Sequence, residues 1–375
     1  MEPNIFEDYF SDLDDPRLDR QKRHSLMDVL FISLCAVVCG AKSFVDMADF
    51  GRAKFEWFKE HLELENGIPS HDTFRRVYSL IDPEQFRNCF ISWTKAMSEA
   101  VDDVIAFDGK TLRRSFDSAT GMSAIHVLNA WSSANDFCVG QMKVDGKSNE
   151  ITAMPKLLKL MNVAGSVITA DALNCQKDIA AQIVDQKADY VLALKGNHRD
   201  LFEDVKQYFE MSLSDGFEEK HQFLEDNDCG HGRIETRRYY MVNVEKLPWL
   251  GGRDQWKGLK TIVCVESIRF SKSSKSETRE CRYFISSLET MPRISRAIRC
   301  HWNVENKLHW VMDVNFDEDS CRVRKDYAPE NFALIRQIAH NLLKVKYTAD
   351  NRSVRRKINL CCWDNDFLAS VVGGF

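Results

Sequence analysis

Between Val167 and Leu194 the chain passes from an apolar run, Val167-Ile168-Thr169-Ala170, through a helical pattern near 176–187 and back into an apolar run, Tyr190-Val191-Leu192-Ala193-Leu194. Strand, helix and strand at crossover length demand parallel pairing, and a parallel pair has to be covered on both faces. Three strand-like segments precede this unit, at 104–107, 125–131 and 137–144, separated by turn residues as in an antiparallel meander. A helix over 152–161 joins the two parts, with Pro155 tolerable only in its first turn. The pattern predicts an α/β fold built on a mixed sheet with helices on both faces.

The flanking regions read differently. Residues 1–98 are helical by period, with apolar positions three and four apart over 26–39, 44–58 and 86–98. Between the last two, Ser70 is a predicted N-cap for a short helix that carries Arg75 and Arg76. Two readings of that helix stand: the second helix of a helix-turn-helix, or an ordinary capped helix with solvated arginines. From 200 to 228 ten acids face only Lys206 and Lys220, after which the chain turns strand-like over 235–244, 261–269 and 282–287. No helices separate these strands, so the interval at about 200–290 is expected to be an insertion forming its own antiparallel subdomain. Helical periodicity resumes over 295–310 and 328–346, and six basic residues against Asp350 mark a basic tail over 344–357. The expected domains are a helical one over 1–98, an α/β one over 99–350 and a tail over 351–375.

Charge and motifs exclude several classes. The 51 basic and 56 acidic residues leave a net charge of -5, so contact with nucleic acid would fall to local patches. Twelve scattered cysteines without a CxxC pair read as reduced thiols, and the acidic start lacks the pattern of a signal peptide. The longest apolar stretch, 29–39, is short of the roughly 20 residues a bilayer demands. A cytoplasmic protein without a membrane span is expected. GxxxxGK[ST], GxGxxG, GxSxG and HExxH are all absent.

What remains is carboxylates in unusual places. Asp108 and Asp171 each end an apolar strand, where a half-buried carboxylate is costly unless it is paired or holds a cation. Side by side they would share a hard cation such as Mg; taken singly, a turn aspartate and a helix cap explain them as well. The segment 299–313 sets His301, Glu305, His309 and, less closely, Asp313 at four-residue steps on one helical face. Glu305 as a third Mg ligand, a zinc site of His301, Glu305 and His309, and histidines hydrogen-bonded in the interior are the three readings left open.

Four motifs in order, Phe107-Asp108-Gly109-Lys110-Thr111, Thr169-Ala170-Asp171-Ala172, Leu194-Lys195-Gly196-Asn197 and the run from His301 to Trp310, resemble the DDE transposases of bacterial insertion sequences, in particular the H-repeat-associated branch. The resemblance spans nearly the whole chain. It implies a ribonuclease-H-like catalytic core with a strand-rich insertion before its last helix, and two Mg ions, with Mn as substitute, bound by Asp108, Asp171 and Glu305. It further implies metal-dependent strand cleavage and strand transfer on double-stranded DNA, with a homodimer pairing two element ends. Contacts to DNA are expected from the clusters at 17–23, 233–238 and 352–357 and from Arg75, Arg76, Lys110, Arg113, Arg114, Lys195, Arg299 and Lys307. Related transposases carry Arg four residues before the final glutamate and Lys seven after it. Here those positions hold His301 and Met312, which leaves Arg299, Lys307 or His309 as partners and Asp313 as a second candidate for the third ligand. A Mg-dependent nuclease on the same fold and a non-catalytic DNA-binding remnant are the alternative functions.

Overall fold

The structure is a computed structural model that describes residues 5–373 apart from 20–21, 99–102, 117–120, 122, 145–148, 217–220, 231–232, 272, 274 and 346–351. Arg20 and Lys346, members of the basic clusters at 17–23 and 344–357, lie outside the described residues. In chain order the elements begin with helices α1 (Ile5–Phe10), α2 (Leu26–Val38), α3 (Phe44–Ala53), α4 (Phe55–Lys59), α5 (His71–Leu80) and α6 (Pro83–Met97). Then come β1 (Val104–Thr111), β2 (His126–Ser132), β3 (Phe137–Val144), α7 (Glu150–Leu160), β4 (Val167–Ala170), α8 (Lys177–Asp185), β5 (Asp189–Leu194) and α9 (Arg199–Ser214). Strands β6 (Gln222–Gly230), β7 (Arg233–Asn243), β8 (Thr261–Ser271) and β9 (Ser276–Ser286) come next, with α10 (Met291–His301), a π-helix (Val304–His309), α11 (Trp310–Phe316), α12 (Ala328–Val345), α13 (Val354–Trp363) and α14 (Asn365–Val372) closing the chain. The chain forms two compact units, one from residues 1–100, 109–161 and 303–375, the other from 101–108 and 162–302.

The first unit is organised by α12. Residues 331–343 of this helix are all buried, so it shows no polar face and is surrounded by α2, α5, α6 and β3. Its polar side chains therefore need partners inside the core. Asn331 Nδ2 donates to the carbonyls of Tyr78 and Ile81, both at 2.9 Å, and so satisfies orphan acceptors at the end of α5. Asn341 pairs with the Cys138 backbone as another strand would, accepting from its N–H at 3.1 Å and donating to its C=O at 2.7 Å. The β3 edge is further closed by Thr94 of α6, whose hydroxyl donates to the Val139 carbonyl at 3.1 Å beside a bulge opposite Ala130 and Trp131. Ser70 caps α5 as the sequence predicts, its Oγ accepting from Thr73 N at 3.3 Å, and Ser43 with Asp46, not singled out in the sequence, forms a capping box ahead of α3. The expected helix over 44–58 is two helices broken at Lys54. Helix α7 begins at Glu150, which puts Pro155 beyond the first turn and removes one amide from the helical ladder.

The second unit carries seven strands in the order β1-β4-β5-β9-β8-β7-β6. The β1–β4 and β4–β5 pairs are parallel, and the rest are antiparallel. The expectation of a separate antiparallel subdomain is thereby corrected. Strand β9 pairs with β5 from Val191↔Ser286 to Leu194↔Tyr283, so the inserted strands extend the same sheet. The physical reason is that β5 without β9 would expose a row of unpaired amides along its length. The acidic interval contains α9 and β6. One face of the sheet packs Val104, Val167, Val191, Val263 and Tyr239 against Met291, Ile294 and Ala297 of α10. On the opposite face Phe209 of α9 stacks on Tyr283 at 6.2 Å. The architecture is mixed α/β with a helical amino-terminal region, as expected. Among the described residues no helix is long and apolar enough to cross a membrane.

Replacing Asn341 by Leu would leave the Cys138 N–H and C=O unpaired in the core, at a cost of about 3 kcal/mol. A lower urea midpoint with an unchanged denaturant slope is the expected result.

Candidate active site

In the second unit, β1 and β4 are short apolar strands in parallel register from Val104↔Val167 to Phe107↔Ala170. The next residues after the last pair are Asp108 and Asp171, so two half-buried carboxylates stand level where the β1–β4 pairing stops; Asp171 follows the end of β4, whereas Asp108, expected to end its strand, lies inside β1, which runs on to Thr111. A local turn leading toward α8 holds Asp171, whose Oδ1 accepts from Asn174 N at 3.2 Å and Asn174 Nδ2 at 3.1 Å. The turn after β5 is tied to the same segment, with Asn197 Nδ2 donating to the Ala172 carbonyl at 2.8 Å and His198 Nε2 bonded to the Cys175 carbonyl at 2.5 Å. His301, at the end of α10, bonds Thr169 Oγ1 of β4 through Nδ1 at 3.1 Å. Lys195 and Arg299 are exposed, and Arg299 lies 4.0 Å from Asp226 and 3.8 Å from Asp228.

In the first unit the residues around Glu305 form a π-helix rather than a continued α-helix. Its turns are wider than those of an α-helix, yet Glu305 and His309, expected on one face at a four-residue step, meet within it. Glu305 Oε2 accepts from His309 Nδ1 at 3.2 Å. This bond holds the Glu305 carboxyl below its ordinary range, with burial opposing and Lys110 assisting, so Glu305 is a carboxylate at neutral pH. His309 is buried, and its Nε2 is bonded to Asn129 Nδ2 at 3.2 Å. Asn129 Oδ1 in turn accepts from Gln141 Nε2 at 2.9 Å. Neither Asn129 nor Gln141 carried a signal in the sequence beyond a polar residue in an apolar strand.

Lys110 occupies a different place from the one expected of a DNA contact. It is buried, and its ammonium donates to Asp313 Oδ1 at 2.5 Å, Glu318 Oε2 at 2.8 Å and the His309 carbonyl at 3.3 Å. All three of its donors are thus used internally. Asp313, the alternative third ligand, is occupied by this contact, and burial raises its carboxyl despite the lysine. Glu318 is 2% exposed and was not singled out in the sequence. Gly109 is needed for a steric reason: a Cβ there would collide with Glu150 Oε1 and His126 Nε2. These two form a buried pair at 2.6 Å, and His126 Nδ1 is bonded to Thr111 Oγ1 at 2.9 Å.

The remaining basic candidates of this unit are at the surface. Arg76 and Arg114 are exposed, Arg75 pairs with Asp72 at 2.7 Å and Arg113 with Asp319 at 3.2 Å. Lys307 donates to Asp136 Oδ1 at 2.8 Å, while Lys344 donates to its Oδ2 at 2.7 Å. Of the three partners considered for Glu305, His309 is the one bonded to it, and Met312 is fully buried. Lys357 of the expected basic tail is also buried, donating to the Leu343 carbonyl at 3.0 Å, in a segment that is helical over α13 and α14.

Two family models match the chain: one described as DDE_Tnp_1-associated over residues 7–94, and one described as Transposase DDE domain over residues 99–342. Among similar proteins is the "H repeat-associated putative transposase YhhI" of Escherichia coli (strain K12), 39% identical over 379 residues that cover 100% of this chain and 99% of the relative. An uncharacterized protein in the dhlA 3' region of Xanthobacter autotrophicus is 45% identical over 74% of this chain and 93% of its own length. Among solved structures, the piggyBac transposase synaptic complex with hairpin DNA has a TM-score of 0.45 at 11% identity, covering 98% of this chain and 76% of that one, a likeness too slight to argue from.

Two outcomes are expected from this geometry. Gly109→Ala would force the buried His126–Glu150 pair apart and lower stability by about 3 kcal/mol, read as a drop in melting temperature. The two lysines hold the Asp136 carboxyl below its ordinary value against the effect of burial, so its contribution is present above pH 4 and lost as the pH falls through the depressed value. Urea titrations below pH 4 should show a shallower loss of stability in Asp136→Asn than in the unaltered protein.

Proposed function

The chain belongs to the DDE transposase family, and from that membership we propose that it cuts DNA at the ends of an insertion sequence and joins the freed ends to target DNA, using divalent metal. The observation that carries this reading is the level placement of Asp108 and Asp171, each the residue that follows the last pair of the parallel strands β1 and β4. Two carboxylates on adjacent parallel strands form a hard oxygen donor set, which suits Mg or Mn and not a soft ion.

In this reading Asp108, Asp171 and Glu305 hold two Mg ions, which when bound would supply Lewis-acid stabilisation of the charge that develops in phosphodiester displacement. The chain's own residues prepare that donor set. Asn174 fixes the Asp171 carboxylate, and His309 keeps Glu305 ionised and oriented through its Nδ1. Orientation by a hydrogen-bonded neighbour is how acidic ligands are held ready without a metal in place. Lys110 does not grip phosphate in this proposal; its charge offsets Asp313 and Glu318 beneath the π-helix. Contacts to DNA fall instead to the exposed Arg75, Arg76, Arg113, Arg114, Lys195 and Arg299 and to the half-buried Lys307. Phosphate contacts of this kind would make binding strongly salt-dependent. Holding two element ends together calls for a homodimer on DNA.

The test is Mg-dependent cleavage and joining of DNA that carries the element's ends. Asp108→Ala, Asp171→Ala and Glu305→Ala should each lower cleavage by more than about 100-fold while circular dichroism stays native. Full activity in any one of them removes that residue from the proposed site. Cleavage without joined products would reduce the function to that of a nuclease.

A further inference from the structure

Cys39 ends α2 as its C-cap residue, and Cys362 lies in the last turn of α13; both are half-buried and both belong to the first unit. Cys362 Sγ–H donates to the Cys39 carbonyl at 3.1 Å, which brings the Cys362 sulfur to the residue that ends α2. Lys54, at the break between α3 and α4, donates to the Cys362 carbonyl at 3.4 Å and to Asn365 Oδ1 at 2.5 Å. Cys35, one helical turn before Cys39, and Cys361 are fully buried. All twelve cysteines are free thiols.

The arrangement is asymmetric. A hydrogen bond from Cys39, aided by the Lys54 charge and opposed by burial, brings the Cys362 thiol down to about 7. The same bond pushes the Cys39 thiol up, so Cys39 keeps its proton. One sulfur is thus the nucleophile and the other the donor beside it, the division of roles that favours thiol oxidation.

We propose that Cys39 and Cys362 are an oxidation site, at which a hydroperoxide converts the two thiols into a disulfide that joins α2 to α13. In the first step the Cys362 thiolate attacks a peroxide oxygen. An S–O bond forms, the O–O bond breaks, and the departing hydroxide or alkoxide takes a proton from solvent. In the second step the Cys39 sulfur attacks the Cys362 sulfur, an S–S bond forms, and the hydroxyl group leaves with the Cys39 proton as water. The two sulfurs lose two electrons and the peroxide gains them. The product would anchor α13, which packs against α12, to the end of α2.

The experiment exposes the full chain to hydrogen peroxide at neutral pH, blocks remaining thiols with N-ethylmaleimide and maps peptides without reduction. A linked peptide containing Cys39 and Cys362 is expected, while the exposed Cys229 remains maleimide-labelled. Loss of the Cys362 thiol should be several-fold faster than loss of the Cys229 thiol, because the Lys54 charge favours the Cys362 thiolate, the form that attacks peroxide. Cys39→Ser should accumulate Cys362 sulfenic acid that dimedone traps, and Cys362→Ser should leave Cys39 reduced. Oxidation of Cys229 ahead of Cys362, or a link from Cys362 to any other cysteine, would overturn the proposal. Mapping of the unaltered protein decides between these outcomes even if a serine variant does not fold.

Discussion

The first unit depends on a helix that has no side turned to water. With residues 331–343 of α12 all buried, two of its polar side chains, Asn331 and Asn341, are placed against backbone groups that would otherwise lack partners. Asn331 completes α5, and Asn341 completes the edge of β3. These bonds fix the rotation of α12 about its axis as well as its depth, which apolar packing alone does loosely. The hairpin β2–β3, and with it Asn129, is therefore held against a rigid element. Asn129 reaches His309, and His309 reaches Glu305, so the orientation of an exposed carboxylate is set by the core beneath it.

The second unit solves a different problem. Its parallel strands β1, β4 and β5 have apolar faces covered by helices, and at the β5 edge the inserted strands take over the pairing. The carboxyl ends of parallel strands are where loops diverge and polar groups can gather without breaking the ladder. Asp108 and Asp171 stand where the β1–β4 ladder ends because Phe107 and Ala170 are its last partners in register. A one-residue slip of β4 would turn its alternate residues to the other face of the sheet, so the register that packs Val104 against Val167 also brings the two acids level.

Charge is handled in the interior by pairing rather than by exclusion. Lys110 with Asp313 and Glu318, and His126 with Glu150, are buried sets beside the segment 107–111. Such sets are costly to break and contribute little net stability compared with apolar packing, so their worth lies in where they force neighbouring groups to be. Gly109 illustrates the point, since the space above His126 and Glu150 admits no side chain. The Gly in Phe107-Asp108-Gly109-Lys110-Thr111 reads in sequence as a turn residue, whereas it sits within β1 and is required by close approach.

The local pattern alone determined a good deal: the strand ending at Asp171, the start of the strand that carries Asp108, the crossover between β4 and β5, the cap at Ser70, and Glu305 within a helical segment. These are legible because strand and helix periods, caps and chain breaks are short-range properties. Tertiary structure alone decided that β9 would adopt β5 as its neighbour, since pairing between distant strands leaves no trace in either one. It decided that 304–309 would be a π-helix, which shares its composition with an α-helix. It also decided that Lys110, which reads in sequence as a phosphate-binding cation, would spend its three donors on buried acceptors. A charged side chain looks the same in sequence whether its partner is water, a phosphate or a glutamate two hundred residues away, and only the folded chain selects among them.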